Sequence, residues 1–191
     1  MRISELNQAQ LTDVYRSRLT ADFPPAERKP LSRILQALEK GEYRCTGLYE
    51  DGNLLAYGFF MILRADGRED LLLDYFAVDA ALRGQGIGST FLRMLPDVFP
   101  DAGIALIESE TPETAENAAD RTLRERRIRF YLRSGCIDSG AEASVFGVRY
   151  RILYLPLHGS AEKEQLLHLY DSMYRQMLPP ELYASQIRTD L

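Results

Sequence analysis

Residues 83–88 read Arg-Gly-Gln-Gly-Ile-Gly, set between an apolar run that ends at Val78 and a helical pattern that begins at Ile87. This junction constrains the fold more than any other stretch. A strand that feeds through glycines into a helix leaves unpaired backbone N–H groups at the helix start, where the helix dipole also favours negative charge. Glycines permit positive φ and let the main chain approach a ligand closely. Arg83 offers a charge-assisted contact. The junction therefore reads as a phosphate-holding device, and its bland alternative is a tight turn that caps a helix and binds nothing.

Two nucleotide motifs fail here on spacing. A P-loop needs Gly-Lys-Ser/Thr after its glycines, whereas this chain has Gly88-Ser89-Thr90 without lysine. A GxGxxG fingerprint needs glycine where Ser89 stands, and it belongs to a first strand–helix unit. Here the glycines come after several strands. Asn7 is suited to cap a helix with Leu11, Val14, Tyr15 and Leu19 on one side, broken by Phe23-Pro24-Pro25. The loop Phe23 to Glu27 reads as a stiff helix–helix connection. A second helix has Pro30 in its first turn, Leu31, Ile34, Leu35 and Leu38 as its apolar positions, and Gly41 as its stop.

The period then changes to two. Tyr43–Tyr49 and Leu54–Leu63 form a hairpin across Asp51-Gly52, Asp66-Gly67 offers a second turn, and Leu71–Val78 is a third strand. A short edge strand is expected near Ile3. After the glycine helix (Ile87, Phe91, Leu92, Leu95, Val98), Ile104–Glu108 is a buried strand expected to run parallel to its predecessor, because a helix crosses over before it. An Arg-rich helix over about 121–134 ends at Gly135, and Val145–Leu157 supplies one or two further strands broken at Gly147. The last segment is one amphipathic helix over about 161–178 with a stripe of Leu166, Leu169, Tyr170, Met173 and Met177, ended by Pro179-Pro180. The fold class is α/β, an α+β mixed sheet with an additional C-terminal helix. The domain division is 1–157, followed by 158–191 as a helical extension packed on that domain. The chain is expected to be a monomer, with a swapped homodimer as the alternative.

Composition narrows the functional classes. A net charge of −5 and a pI near 5.2 carry no general footprint for nucleic acid. The longest apolar run is too short for a transmembrane helix, so no membrane partner is expected. Cys45 and Cys136 are isolated, which argues against a disulfide framework or a metal site and suggests a reducing compartment. Met1 to Glu5 lack a signal-peptide pattern, and the cytoplasm is the expected address. His158 and His168 sit in no triad or ligand pattern.

In its strand–helix setting the loop resembles the acetyl-CoA signature [Q/R]-x-x-G-x-[G/A] of the GNAT superfamily of N-acetyltransferases, carried by Arg83, Gly86 and Gly88. Tyr75-Phe76-Ala77-Val78 is similar to the family strand that pairs with pantetheine. Phe130 to Cys136 resembles the family's F-Y-x-x-x-G-F segment, with Cys136 in place of the usual aromatic. The element order agrees from residue 1 to about 157. The resemblance implies acetyl-CoA as co-substrate, held by Phe76, Ala77, Val78, Arg83, Gly84, Gln85, Gly86, Ile87, Gly88 and Ser89, with no metal. It implies that a backbone N–H near Ala77 or Val78 supports the thioester carbonyl, and that Tyr131 protonates the departing sulfur.

Read from the residues alone, Tyr131 is a core tyrosine of an amphipathic helix. Asp74 stands four residues before Val78, where many family members have glutamate. It is a candidate general base, with Glu108, Glu110 or water as the competitors and a salt-bridged strand carboxylate as the plain reading. The arginines of 121–133 read as a solvated face partly paired with Glu113, Glu116 and Glu125. The expected function is acetyl transfer to a small-molecule or peptide amine by direct attack in a ternary complex. A non-catalytic acyl-CoA-binding module of the same fold is the alternative.

Overall fold

A computed structural model describes residues 1–65 and 67–189. The chain divides into two compact units, one formed by Met1–Ile62 with Leu73–Met94 and the other by Leu63–Leu72 with Leu95–Leu191.

The first unit begins with strand β1 (Arg2–Glu5) and helix α1 (Gln8–Val14). Asn7 and Gln10 form a reciprocal capping box, and Leu11 and Val14 turn inward. The single helix expected to follow is interrupted. Tyr15–Leu19 widens into a π-turn before the short α2 (Thr20–Asp22), and this keeps Leu19 fully buried while Tyr15 is half-buried. Helix α3 (Leu31–Glu39) is capped by Pro30, which sits one position earlier than the first turn expected for it. It ends as foreseen at Gly41, whose φ of 69° lets Gly41 N–H reach Leu38 O and Glu42 N–H reach Ala37 O.

Strands β2 (Tyr43–Glu50) and β3 (Asn53–Ala65) form the expected hairpin. Its two turn residues, Asp51 and Gly52, both have positive φ, as a two-residue turn that matches strand twist requires. β1 pairs antiparallel with β2, and the strand order here is β1-β2-β3 and then β4 (Arg68–Val78). The turn expected at Asp66-Gly67 includes Asp66, which lies outside the described residues. Helix α4 (Ile87–Val98) follows the glycine loop. Its Phe91 presses on β3 at Gly58, where an added Cβ would stand 2.7 Å from the ring, and the Phe76 ring lies 5.0 Å away between centroids. Gly58 is thus what lets α4 approach the sheet.

In the second unit β5 (Ala102–Glu110) pairs parallel with the start of β4, through Glu69↔Ala102 to Leu72↔Leu106. Helix α5 (Ala118–Arg133) is capped by Asn117 and ends before Gly135, whose φ is 100°. Two strands then follow, β6 (Ile137–Val145) and β7 (Val148–Pro156), joined across Phe146-Gly147 with both φ positive. The sequence reading caught β7 but missed most of β6. Its Asp-Ser-Gly-Ala-Glu composition has little β-propensity, and a bulge between Asp138 and Ala141 breaks its alternation.

Helix α6 (Lys163–Met177) buries Leu166, Leu167, Tyr170, Met173 and Tyr174. Two members of the expected stripe, Leu169 and Met177, are only half-buried, while Leu167 and Tyr174 take the inner positions. Helix α7 (Pro180–Gln186) and strand β8 (Ile187–Thr189) were not anticipated. The strand order in this unit is β4-β5-β7-β6-β8; β4 and β5 are parallel, and the β5–β7, β7–β6 and β6–β8 pairs are antiparallel.

Candidate active site

The cofactor-side candidates belong to the first unit. Gly84 and Gly86 have φ of 81° and 82°, and an added Cβ at either would meet nothing within 4 Å. The glycines are therefore required by backbone conformation, and the space before them is open. Residues 83–86 are exposed, and Ile87 anchors the loop by its burial. Thr90 N–H closes the first helical bond onto Gly86 O, and the first turn of α4 carries no acidic side chain. That end of a 12-residue helix suits an anion.

The Arg83 side chain, by contrast, does not point along the loop. Its Nε donates to Val78 O at 3.3 Å and its Nη2 to Asp22 at 3.3 Å. Asp22 also accepts from the Tyr57 hydroxyl at 3.0 Å, and Arg18 pairs with Asp79 at 2.6 Å. The Ala81 N–H, then Arg18, hold the Asp79 carboxyl below its ordinary value. Arg18, Asp22, Tyr57 and Asp79 line a cleft of about 190 Å³ with Leu55 and Ala56.

The pairing of β4 with β5 stops at Leu72, while β4 itself continues through Leu73 to Val78. On that continuation Asp74 is the acid among apolar neighbours, its side chain 9% exposed. Both carboxylate oxygens are taken: Lys29 Nζ holds Oδ1 and the Tyr43 hydroxyl holds Oδ2. Burial, and then the Asp74 charge, push the Tyr43 phenol well up, so it stays a donor. Lys29 is fixed along its length. Its N–H donates to Tyr75 Oη at 2.7 Å, its carbonyl accepts from Tyr15 Oη at 2.8 Å, and its ammonium lies 5.7 Å from the Tyr75 ring centroid. Tyr75 Oη in turn donates to Glu27 O at 2.9 Å, and Phe23 meets the same ring edge-on at 5.0 Å.

The remaining candidates lie in the second unit. Tyr131 is buried on α5, and burial pushes its phenol up to about 12 against the opposing pull of Arg127. Its hydroxyl makes no hydrogen bond to the described residues, and the oxygen is not fully sealed from solvent. Glu108 accepts from the hydroxyls of Tyr170 and Tyr174 on α6, the latter at 2.7 Å. Glu110 is paired with Arg124 and Arg127, each at 3.2 Å. The arginine face differs from expectation here. Arg124 is buried and bound to Asp120, Glu110 and Thr111 O, while among the described residues Glu125 pairs with Arg121 and neither Glu113 nor Glu116 forms an ion pair. Among the described residues no group of three or more His, Cys, Asp or Glu side chains is placed to hold a metal ion, and no helix is long and apolar enough to cross a membrane.

A model of the acetyltransferase (GNAT) family matches residues 10–135, more than half of the chain. The chain belongs to that family. The match runs from α1 through the glycine loop to the Tyr131 segment, so the GNAT assignment and the site candidates rest on the same stretch. It places the chain among acyl-CoA-dependent acetyltransferases. No curated protein matches it. Among solved structures, a protein of the GNAT family from Bacteroides thetaiotaomicron superposes with a TM-score of 0.67 at 20% identity, covering 93% of this chain and 96% of that one. The ribosomal-protein-S18-alanine N-acetyltransferase of Escherichia coli gives 0.56 at 20% identity, covering 84% and 96%. A Salmonella typhimurium protein solved with acetyl-CoA gives 0.56 at 18% identity, also covering 84% and 96%. At these identities the likeness concerns the fold, which for this GNAT chain is the α/β arrangement with extra C-terminal helices.

Two features of the site escaped the sequence reading. Lys29 and Tyr43 as partners of Asp74 had one signal, since an acid in an apolar strand demands satisfaction. The donors' identities had none. The tyrosine pair on Glu108 comes from a helix more than 60 residues away in sequence.

Proposed function

We propose that this chain transfers the acetyl group of acetyl-CoA to a primary amine by direct attack of the amine on the thioester. The observation that carries the reading is the β4–α4 junction: two left-handed glycines facing open space, at the start of a helix with no acid in its first turn. Acetyl-CoA supplies an activated acyl group. The backbone of Arg83 to Ser89 would hold its phosphates, and Phe76, Ala77 and Val78 its pantetheine arm. An N–H of Ala77 or Val78 supports the developing oxyanion.

As the new C–N bond forms and the C–S bond breaks, Asp74, directly or through water, takes the proton released by the amine. Tyr131 gives its proton to the leaving sulfur. A phenol raised to about 12 remains protonated at neutral pH and suits that donation. Glu108 is occupied by two phenols and Glu110 by two guanidinium groups. Asp74 is occupied as well, by Lys29 and Tyr43, but one of its partners is itself a primary amine. Both thiols are buried, with Cys136 pushed up to about 12 and Cys45 raised further by burial, which disfavours an acyl-cysteine route.

The test is thiol release from acetyl-CoA against a panel of amines, with acetyl-CoA affinity measured alongside. Turnover with at least one primary amine is expected. Tight binding without turnover on any amine would convert the reading into that of a non-catalytic acyl-CoA-binding module.

A further inference from the structure

Building on that reading, we infer that the Asp74 carboxylate, the Tyr43 hydroxyl and the Tyr75 ring form a seat for a primary alkylammonium group, which Lys29 fills in the resting protein and the acceptor takes over. Lys29 is an ammonium on an unbranched alkyl stem, so the chain displays in its own side chain the chemistry that this seat accepts. The charge sits on one carboxylate oxygen, the phenol holds the other, and an aromatic face lies beside the ammonium. Nothing in this arrangement selects an anion or a neutral ring.

Exchange is physically reasonable because the two partners differ in exposure. The Lys29 side chain is 35% exposed and the Asp74 side chain 9%, so the cation faces the way out and the carboxylate the interior. Replacing one ammonium by another leaves the buried carboxylate compensated throughout, whereas losing Lys29 with no replacement would strand it. The segment that carries Lys29 also lies at the surface. Residues 24–27 are exposed and 28–30 are no more than half-buried. Its ties include hydrogen bonds between its backbone and the Tyr15 and Tyr75 phenols, together with the Phe23 edge contact on the Tyr75 ring. Such ties reform without repacking a core. Lys29 is therefore a specificity-determining residue that competes with the acceptor, and favoured acceptors carry a primary amine on an unbranched alkyl stem.

Lys29→Ala tests the seat without acetyl-CoA. Thermal melts are taken with n-propylammonium chloride, and with n-propanol and tetramethylammonium chloride as controls at matched ionic strength. The variant should melt below wild type, and n-propylammonium alone should restore it. Wild type and Lys29→Ala/Asp74→Asn should not respond. If Lys29→Ala does not fold, Lys29→Met keeps the stem and removes the charge, and the kinetic arm proceeds on it. With acetyl-CoA present, KM for 1,5-diaminopentane and for a lysine-containing peptide should fall about tenfold, as expected when a competitor that fills the seat nine-tenths of the time is removed. The two acceptors distinguish a small diamine from a protein side chain as the source of the ammonium. A variant that ignores n-propylammonium, with KM unchanged or raised, overturns the seat even if wild type acetylates amines. Preference for a peptide α-amine over both alkylamines overturns it as well. Rescue of the melt in a protein that transfers no acetyl group would sink the proposed function and leave the seat standing.

Discussion

Gly86→Val separates a ligand loop from a mere turn, because the structure supplies its own control. Gly86 and Gly52 have the same φ of 82°, and neither has an atom within 4 Å of an added Cβ. Gly52 lies in the β2–β3 turn and Gly86 at the start of α4. Forcing a side chain into the left-handed region costs roughly 1–2 kcal/mol at either position, and no packing clash adds to it. For a chain of this size that corresponds to about 2–8 °C in Tm. The two variants should therefore lose similar stability. They should differ in acetyl-CoA affinity, since the loop relieves its strain by abandoning the conformation that aims its N–H groups outward. Losing about two charge-assisted backbone contacts at about 1.5–3 kcal/mol each weakens Kd by about a hundredfold or more. Isothermal calorimetry on both variants, with melts alongside, reads the difference. Equal acetyl-CoA affinity for Gly86→Val, Gly52→Val and wild type would refute the loop as the phosphate site.

Tyr131→Phe should lower kcat by about 10²–10⁴-fold and leave acetyl-CoA binding intact. Because its folded value is raised from 10 to about 12, wild type should show no loss of rate from tyrosinate formation near pH 10, and stability should decline as pH rises through 10 toward 12. A kcat unchanged in the variant makes Tyr131 a packing residue. Gly58→Ala should cost about 1–3 kcal/mol by overpacking against Phe91, and Phe91→Leu in the same chain should return part of it, as read by denaturant unfolding. Failure of the second change to compensate would mean α4 is positioned by something else. Truncation after Gly159 removes α6 and strands Glu108 without its two phenols, so the shortened chain should aggregate or melt lower while the intact chain scatters light as a monomer. An intact dimer that becomes a stable monomer on truncation would instead assign α6 to a subunit interface.

Local rules made much of this fold legible. The Asn7 cap, the Asp51-Gly52 turn, the Gly41 stop and the crossover that makes β5 parallel to β4 each follow from residues within a few positions of one another. What escaped was either contrary to local preference or distant in sequence. β6 is polar and bulged, so it becomes a strand only because β7 offers it a hydrogen-bonding edge. The π-turn at Tyr15 leaves no mark in a hydrophobic pattern. On α6 the choice of Leu167 and Tyr174 over Leu169 and Met177 depends on a rotation that Glu108 helps to set through the Tyr170 and Tyr174 hydroxyls. In the candidate site the glycine loop could be read because its requirement is backbone conformation. The state of Asp74 could not be, because it depends on Lys29, 45 residues away, folding back onto β4.

Among the described residues β8 pairs with Ala143 to Val145 of β6, and the rest of that margin is protected differently. There the bulge, Gly140 at φ 68° and the charged Asp138 and Glu142 spoil the flat, regular row of amides and carbonyls that a foreign strand would need. The weak strand character that hid β6 from sequence inspection thus guards the protein against fibril-like self-association. Substituting Gly140 and Asp138 with β-branched residues to strengthen the strand would straighten that margin and trade away colloidal safety for local regularity.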